Sequence, residues 1–174
     1  PLDRSLWRKK LRSTAYQKVY FSHIVPKDIE PVFYFEERET IDYGHQAILL
    51  MGVGNPRPFI REAQQRFSVV DQMIMPDHHV YNVEDMQRLQ QMLAEHPRAI
   101  VLMTEKDAVK LFRLRRLPEN LRRAMYYQPI ETELIPGPDK DFVGNLKAEI
   151  EFNDEFGTRS GKRSKKQILD DDEI

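Results

Sequence analysis

Apolar residues along this chain fall into short unbroken runs, and between the runs they recur every three or four positions. Ala47-Ile48-Leu49-Leu50-Met51 is such a run, and an unbroken apolar stretch this short predicts a strand buried on both faces. Gly52-Val53-Gly54-Asn55 breaks it. Asn55 is a good N-cap residue and Pro56 suits the first helical position, after which Phe59, Ile60, Ala63 and Phe67 mark one apolar helix face. Val69, Val70, Met73, Ile74 and Met75 predict a second strand, ended by Pro76. Asn82 followed by Asp85 resembles a capping box, and Val83, Met86, Leu89 and Leu93 supply the buried stripe of the helix that it opens. Ala99-Ile100-Val101-Leu102-Met103 predicts a third buried strand, and Thr104 with Asp107 repeats the cap pattern ahead of Ala108, Val109, Leu111 and Phe112. Met125 to Ile130 predicts a further strand, which Pro129 places at an edge of the sheet.

Strand and helix thus alternate with short connections, which predicts an α/β domain with a mainly parallel sheet flanked by helices. In such a sheet the loops that follow the strands gather at the carboxyl edge, where ligands bind. Gly52 to Asn55, Pro76 to Asn82 and Thr104 to Asp107 would all meet there. The flanks read differently. Residues 1–45 form a connecting segment: a short helix around Trp7, a strand in the aromatic run Tyr16-Gln17-Lys18-Val19-Tyr20-Phe21, and another over Pro31-Val32-Phe33-Tyr34-Phe35. Residues 46–150 form the α/β lobe, whose last helix carries Phe142, Val143, Leu146 and Ile150. Beyond it, residues 151–174 place a basic cluster before Asp170-Asp171-Asp172-Glu173 with few apolar anchors, which predicts a charged disordered tail.

Composition narrows the partners more than the fold. A chain of 174 residues is long enough for one ordinary core. Its net charge of -1 gives no overall pull toward nucleic acid, so no nucleic-acid partner is expected. The absence of cysteine excludes a disulfide framework and a thiolate metal site, and suits a reducing, cytoplasmic setting. No apolar run approaches the roughly 18 residues of a spanning helix, and no signal peptide is seen, so the chain is expected to be soluble. Because it begins at Pro1 rather than Met, it is expected to be a piece of something longer.

Asp77-His78 is the sharpest chemical signal. An imidazole titrates near neutral pH and has two distinct nitrogens, so one can face a reacting hydroxyl while a carboxylate orients the other. Structural hydrogen bonding is the competing reading, and so is metal ligation by His78 and His79, since an Asp-His-His triplet also occurs in metal-dependent phosphoesterases. Those enzymes place an Asp-rich motif on an earlier strand, whereas Asp3, Asp28 and Asp42 are scattered singly here. No metal site is therefore assigned. Thr104 and Asp107 serve as a helix cap, but Lys106 is a cation in a first turn whose dipole disfavours it, and a nearby phosphate would account for it. Lys106, with Thr104 beside it, is accordingly the candidate phosphate contact. Gly52-Val53-Gly54 reads as a tight turn or half of a glycine fingerprint, and Arg57 and Arg61 near the following helix start can meet phosphate or solvent. There is no G-x-x-x-x-G-K-[ST]. The basic residues Arg4, Arg8, Lys9, Lys10 and Arg12, and the cluster Arg113, Arg115, Arg116, Arg122 and Arg123, suit either solvated faces or an anionic membrane surface.

Three ordered motifs carry a resemblance: Gly52-Val53-Gly54-Asn55-Pro56-Arg57-Pro58-Phe59, Pro76-Asp77-His78-His79-Val80-Tyr81, and Thr104-Glu105-Lys106-Asp107-Ala108-Val109-Lys110-Leu111. In this order and spacing, across about residues 1–150, the chain resembles the C-terminal half of the tetraacyldisaccharide 4'-kinases, the lipid A 4'-kinases of Gram-negative bacteria, in their Bacteroidetes form. The resemblance implies a P-loop NTPase-like, Rossmann-like lobe of a kinase that moves the γ-phosphate of ATP to the 4'-hydroxyl of a tetraacyldisaccharide 1-phosphate. It places that reaction at the cytoplasmic face of the inner membrane. It implies that His78, beside Asp77, works with an aspartate of the N-terminal half to deprotonate the acceptor. His79 takes no role, because the family often has tyrosine there. ATP and Mg2+ would be bound mainly by the N-terminal P-loop half, which is the expected partner together with the lipid A precursor, so this chain alone is expected to be inactive. Two other readings stand beside it: a non-catalytic binding module on the same fold, and the metal-dependent phosphoesterase.

Overall fold

The computed structural model describes residues 3–14, 17–37, 40–114, 117–137 and 141–152. The expected tail lies almost wholly outside the described residues, as do Tyr16, Arg115 and Arg116. The chain forms two compact units, one of Ile24–Thr132 and one combining Pro1–His23 with Glu133–Ile174.

The larger unit is an α/β sandwich built on strands β2 (Glu30–Pro31), β3 (Gln46–Met51), β4 (Ser68–Ile74), β5 (Ile100–Thr104) and β6 (Met125–Gln128). Their spatial order is β2-β6-β5-β3-β4. β3 is parallel to both β4 and β5, β5 is parallel to β6, and only β2 runs antiparallel. The crossovers are helices α2 (Arg57–Arg66), α3 (Val83–Glu95), α4 (Glu105–Leu111) and α5 (Glu119–Ala124). The fold is thus α/β with a mixed, mostly parallel sheet flanked by helices, consistent with a P-loop-like kinase fold.

Ala47 through Met51 and Val101 through Met103 have no solvent exposure, as unbroken apolar runs require. Their alternate side chains enter two cores. Ile48, Leu50, Val101 and Met103 pack with Met86, Leu89 and Leu93 of α3 and Leu111 of α4, while Ala47, Leu49 and Leu102 pack with Ala63 of α2 and Phe67.

Several local expectations shift. Pro56, not Asn55, occupies the N-cap of α2, and no side chain caps that helix, which begins at Arg57 although Pro56 itself already has αR dihedrals. Val83, Val109 and Phe112 are exposed, because each lies beside rather than on the stripe that its helix turns inward. The strand expected over Pro31–Phe35 is confined to Glu30–Pro31, since Val32 donates its N–H to the Met125 carbonyl and the chain then leaves the ladder. β6 is not an edge: Pro129 falls just after it, and β2, which contains Pro31, covers it. The capping box of α3 forms as expected, with Asn82 and Asp85 each satisfying the other's backbone N–H at 2.9 and 3.0 Å.

The smaller unit contains α1 (Arg4–Lys10), capped by Asp3, and a helix over residues 142–152. Residues 17–21 of the aromatic run are not a strand; Tyr20 instead meets Phe142 edge to face at 4.9 Å, and Asn145 donates to its hydroxyl at 2.7 Å. Strands β1 (Ser22–Pro26) and β7 (Ile130–Leu134) pair as a two-stranded sheet where the chain leaves one unit and returns to it. None of the described residues in the smaller unit is buried, and Leu6, Trp7, Leu11, Val143, Leu146, Ile150 and Phe152 are exposed.

Leu102→Ala, in the doubly covered β5, is expected to lower unfolding free energy by roughly 2–5 kcal/mol, whereas Val109→Ala on the exposed side of α4 should change it little. Urea denaturation of both variants checks the assignment.

Candidate active site

Because β3, β4 and β5 run parallel, the segments that follow them emerge at one carboxyl edge, and the three motifs meet there. Their meeting is anchored by Asp107. This carboxylate has no solvent exposure, and a buried charge is tolerated only when its oxygens are fully bonded. Oδ2 accepts from the Gly52 N–H at 3.0 Å and the Thr104 hydroxyl at 2.7 Å, and Oδ1 accepts from Lys110 Nζ at 3.0 Å. Thr104 also accepts the Asp107 N–H at 3.2 Å. Its hydroxyl is therefore occupied on both sides by the cap.

Gly52 is glycine for reasons of space. A Cβ there would stand 3.2 Å from Asp107 Oδ1 and 3.3 Å from the Tyr81 hydroxyl, both buried. That hydroxyl has no hydrogen-bond partner among the described residues, and burial first, then the neighbouring Asp107 charge, push its pKa far up. Gly54 likewise lets the loop approach Asp77, whose Oδ2 would lie 3.2 Å from an added Cβ.

Asp77 and His78 stand at the surface of this frame. His78 has φ +60°, a left-handed conformation uncommon for a side chain with Cβ, and Asp77 Oδ1 accepts its N–H at 2.9 Å. The imidazole is 82% exposed, and its Nε2 lies 3.6 Å from Asp77 Oδ2, beyond hydrogen-bond length. Lys106 Nζ donates to Asp77 Oδ1 at 3.0 Å. That hydrogen bond, ahead of the contributions from His78, holds the Asp77 carboxyl below the usual aspartate range. The loop and α4 thus bring Asp77, His78 and Lys106 together, while Thr104 sits one layer below in the Asp107 cluster.

His79 belongs to a different group. Its Nε2 meets Asp85 Oδ2 at 2.7 Å inside the capping box of α3, and its ring packs edge to face on Tyr81 at 5.2 Å. His78 and His79 therefore face different partners, and among the described residues no three His, Asp or Glu side chains converge as a metal-binding set. Arg57 and Arg61 are exposed on α2. Asp107 and Gly52 are the members of the site that sequence reasoning undervalued: the Thr-x-x-Asp spacing announces a cap, but nothing local announces a bond from Asp107 to a residue 55 positions away.

Residues 7–151 match the pattern of the family described as Tetraacyldisaccharide-1-P 4'-kinase. The chain is similar to the Tetraacyldisaccharide 4'-kinase of Parabacteroides distasonis, 28% identical over 82% of this chain and 40% of that protein. It is similar to the protein of the same name from Porphyromonas gingivalis, 28% identical over 84% of this chain and 42% of the relative. A third, from Methylobacillus flagellatus, is 32% identical over 66% of this chain. The chain thus spans about two-fifths of the length of the first relatives it matches. No solved structure matches.

Gly52→Ala is expected to destabilise the fold by roughly 1–3 kcal/mol, because neither Asp107 nor Tyr81 can retreat without losing a buried contact. Thermal unfolding of the variant measures it. The Asp77 carboxylate, lowered in the folded state, stays charged as pH falls through the ordinary aspartate range, and its contact with Lys106 is lost only in stronger acid. Carbon-detected NMR titration of Asp77 should place its midpoint below the ordinary aspartate range.

Proposed function

The chain belongs to the Tetraacyldisaccharide-1-P 4'-kinase family, and on that premise we propose that it supplies the proton-handling half of the active site of a lipid A 4'-kinase. The observation that carries this reading is the exposed His78 imidazole, set on a left-handed residue at the carboxyl edge beside a carboxylate held ionised by Lys106.

Phosphoryl transfer depends on positioning and charge stabilisation more than on covalent chemistry. The 4'-hydroxyl of the acceptor would donate its hydrogen to a ring nitrogen of His78. Its oxygen then forms the new bond to the γ-phosphorus as the bond to the leaving ADP breaks. The proton would rest on the imidazole, with the Asp77 carboxylate 3.6 Å away, and an aspartate from the other half would complete the pair.

The residues of this chain do not by themselves fit ATP or Mg2+. There is no G-x-x-x-x-G-K-[ST], the described residues hold no metal-binding set, and Lys106 is engaged by Asp77. We assign both to a P-loop-bearing partner half, in keeping with the greater length of the relatives. The exposed Leu6, Trp7, Leu146 and Ile150 in a unit whose described residues include none that is buried give that half apolar surface to cover. No helix among the described residues is long and apolar enough to cross a membrane. The cytoplasmic face of the inner membrane, where a tetraacylated precursor would be presented, is the proposed place of action, with the basic residues of α1 toward its anionic surface.

The 174-residue chain alone is expected to transfer no phosphate from ATP to tetraacyldisaccharide 1-phosphate. Adding the P-loop-bearing half of a family member should restore transfer. In the restored enzyme, His78→Ala should lower kcat by about 10²-fold or more without altering thermal unfolding. Full activity of that variant, or activity of the chain alone, overturns the reading.

A further inference from the structure

We propose that Lys106 is a positioning residue, whose ammonium holds one carboxylate oxygen of Asp77 so that the other stays turned toward the His78 imidazole. The geometry divides the labour of Asp77 between its oxygens. Oδ1 accepts both the Lys106 ammonium at 3.0 Å and the His78 N–H at 2.9 Å. Oδ2 is left to the imidazole at 3.6 Å, over Gly54. Turning the carboxylate would break two bonds at once.

The position of Lys106 suits this task better than a phosphate contact. A cation in the first turn of a helix is opposed by the dipole, so its presence there calls for a specific anionic neighbour, and Asp77 is that neighbour. The base on which it stands is rigid, since the next residue is Asp107, buried and bonded to Gly52, Thr104 and Lys110. The first turn of α4 therefore fastens two loops together, Gly52 through Asp107 and Asp77 through Lys106. Stability is not its purpose. Lys106 is 48% and Asp77 42% exposed, and an ion pair so open to water contributes little to folding. What such a pair can do is hold a carboxylate in one orientation, and His78, in a conformation its backbone disfavours, is the residue that uses it.

The role in turnover rests on the proposed kinase reading, whereas the hold on Asp77 does not, and two experiments separate them. In the 174-residue chain, the Asp77 carboxyl and the His78 amide are followed by NMR in the native protein, K106M and K106R. Lys106 and His78 are the charged groups that bear on Asp77. In K106M the Asp77 midpoint should rise toward the ordinary aspartate range and the His78 amide should lose its downfield shift, with K106R restoring both. An unmoved midpoint overturns the proposal even if the kinase reading stands. In the enzyme reconstituted with its P-loop half, K106M should lower kcat by about 10²-fold with KM for ATP unchanged, and should add nothing to D77N. A raised KM for ATP at unchanged kcat overturns the proposal and makes Lys106 a phosphate ligand. Full activity of His78→Ala removes the kinase reading and leaves the NMR result to decide the hold on Asp77.

Discussion

The structure depends on burying β3 and β5 on both faces. Two adjacent strands whose residues 47–51 and 100–103 are all buried must be covered above and below, and helices on both faces are what parallel crossovers supply. Once the strands run parallel, every segment that follows one of them emerges at the same edge. The meeting of three motifs spread over residues 52–111 is thus a consequence of core burial rather than of any affinity between the motifs.

Burial also explains the chemistry of the edge. Asp107 lies where its charge cannot reach water, so it binds whatever donors the edge offers, and those are the first N–H after β3, the cap hydroxyl of Thr104 and Lys110. A layer above, Asp77 remains in contact with water and keeps its charge through Lys106. The two aspartates differ by depth. The buried one locks the frame, and the exposed one stays beside a histidine that solvent can reach.

Much of this was legible in the linear pattern. The unbroken runs at 47–51 and 99–103 could only be buried strands, and the Asn82 and Thr104 caps formed where their side-chain oxygens predicted. Less legible were the places where local preference lost to packing. Val32–Phe35 has strand-like residues, yet it leaves the ladder after Pro31, and Phe33 stacks on Phe112 at 5.8 Å instead. The contact of Lys106 with Asp77 was hidden too, because the sequence shows a cation at a helix start and not the carboxylate that faces it from another loop. His79, adjacent to His78, was separated from it only by the left-handed turn between them.

The sequence by itself determined the class of fold, the edge at which the motifs would lie and the kinase family, because periodicity, caps and ordered motifs are local properties read within a few residues. Tertiary structure alone decided the pairings: Gly52 with Asp107, Lys106 with Asp77, His79 with Asp85. The physical reason is that a hydrogen bond or ion pair is set by distance in space, and two of these join residues 55 and 29 positions apart. Only the packed sheet brings them within 3.0 Å of each other.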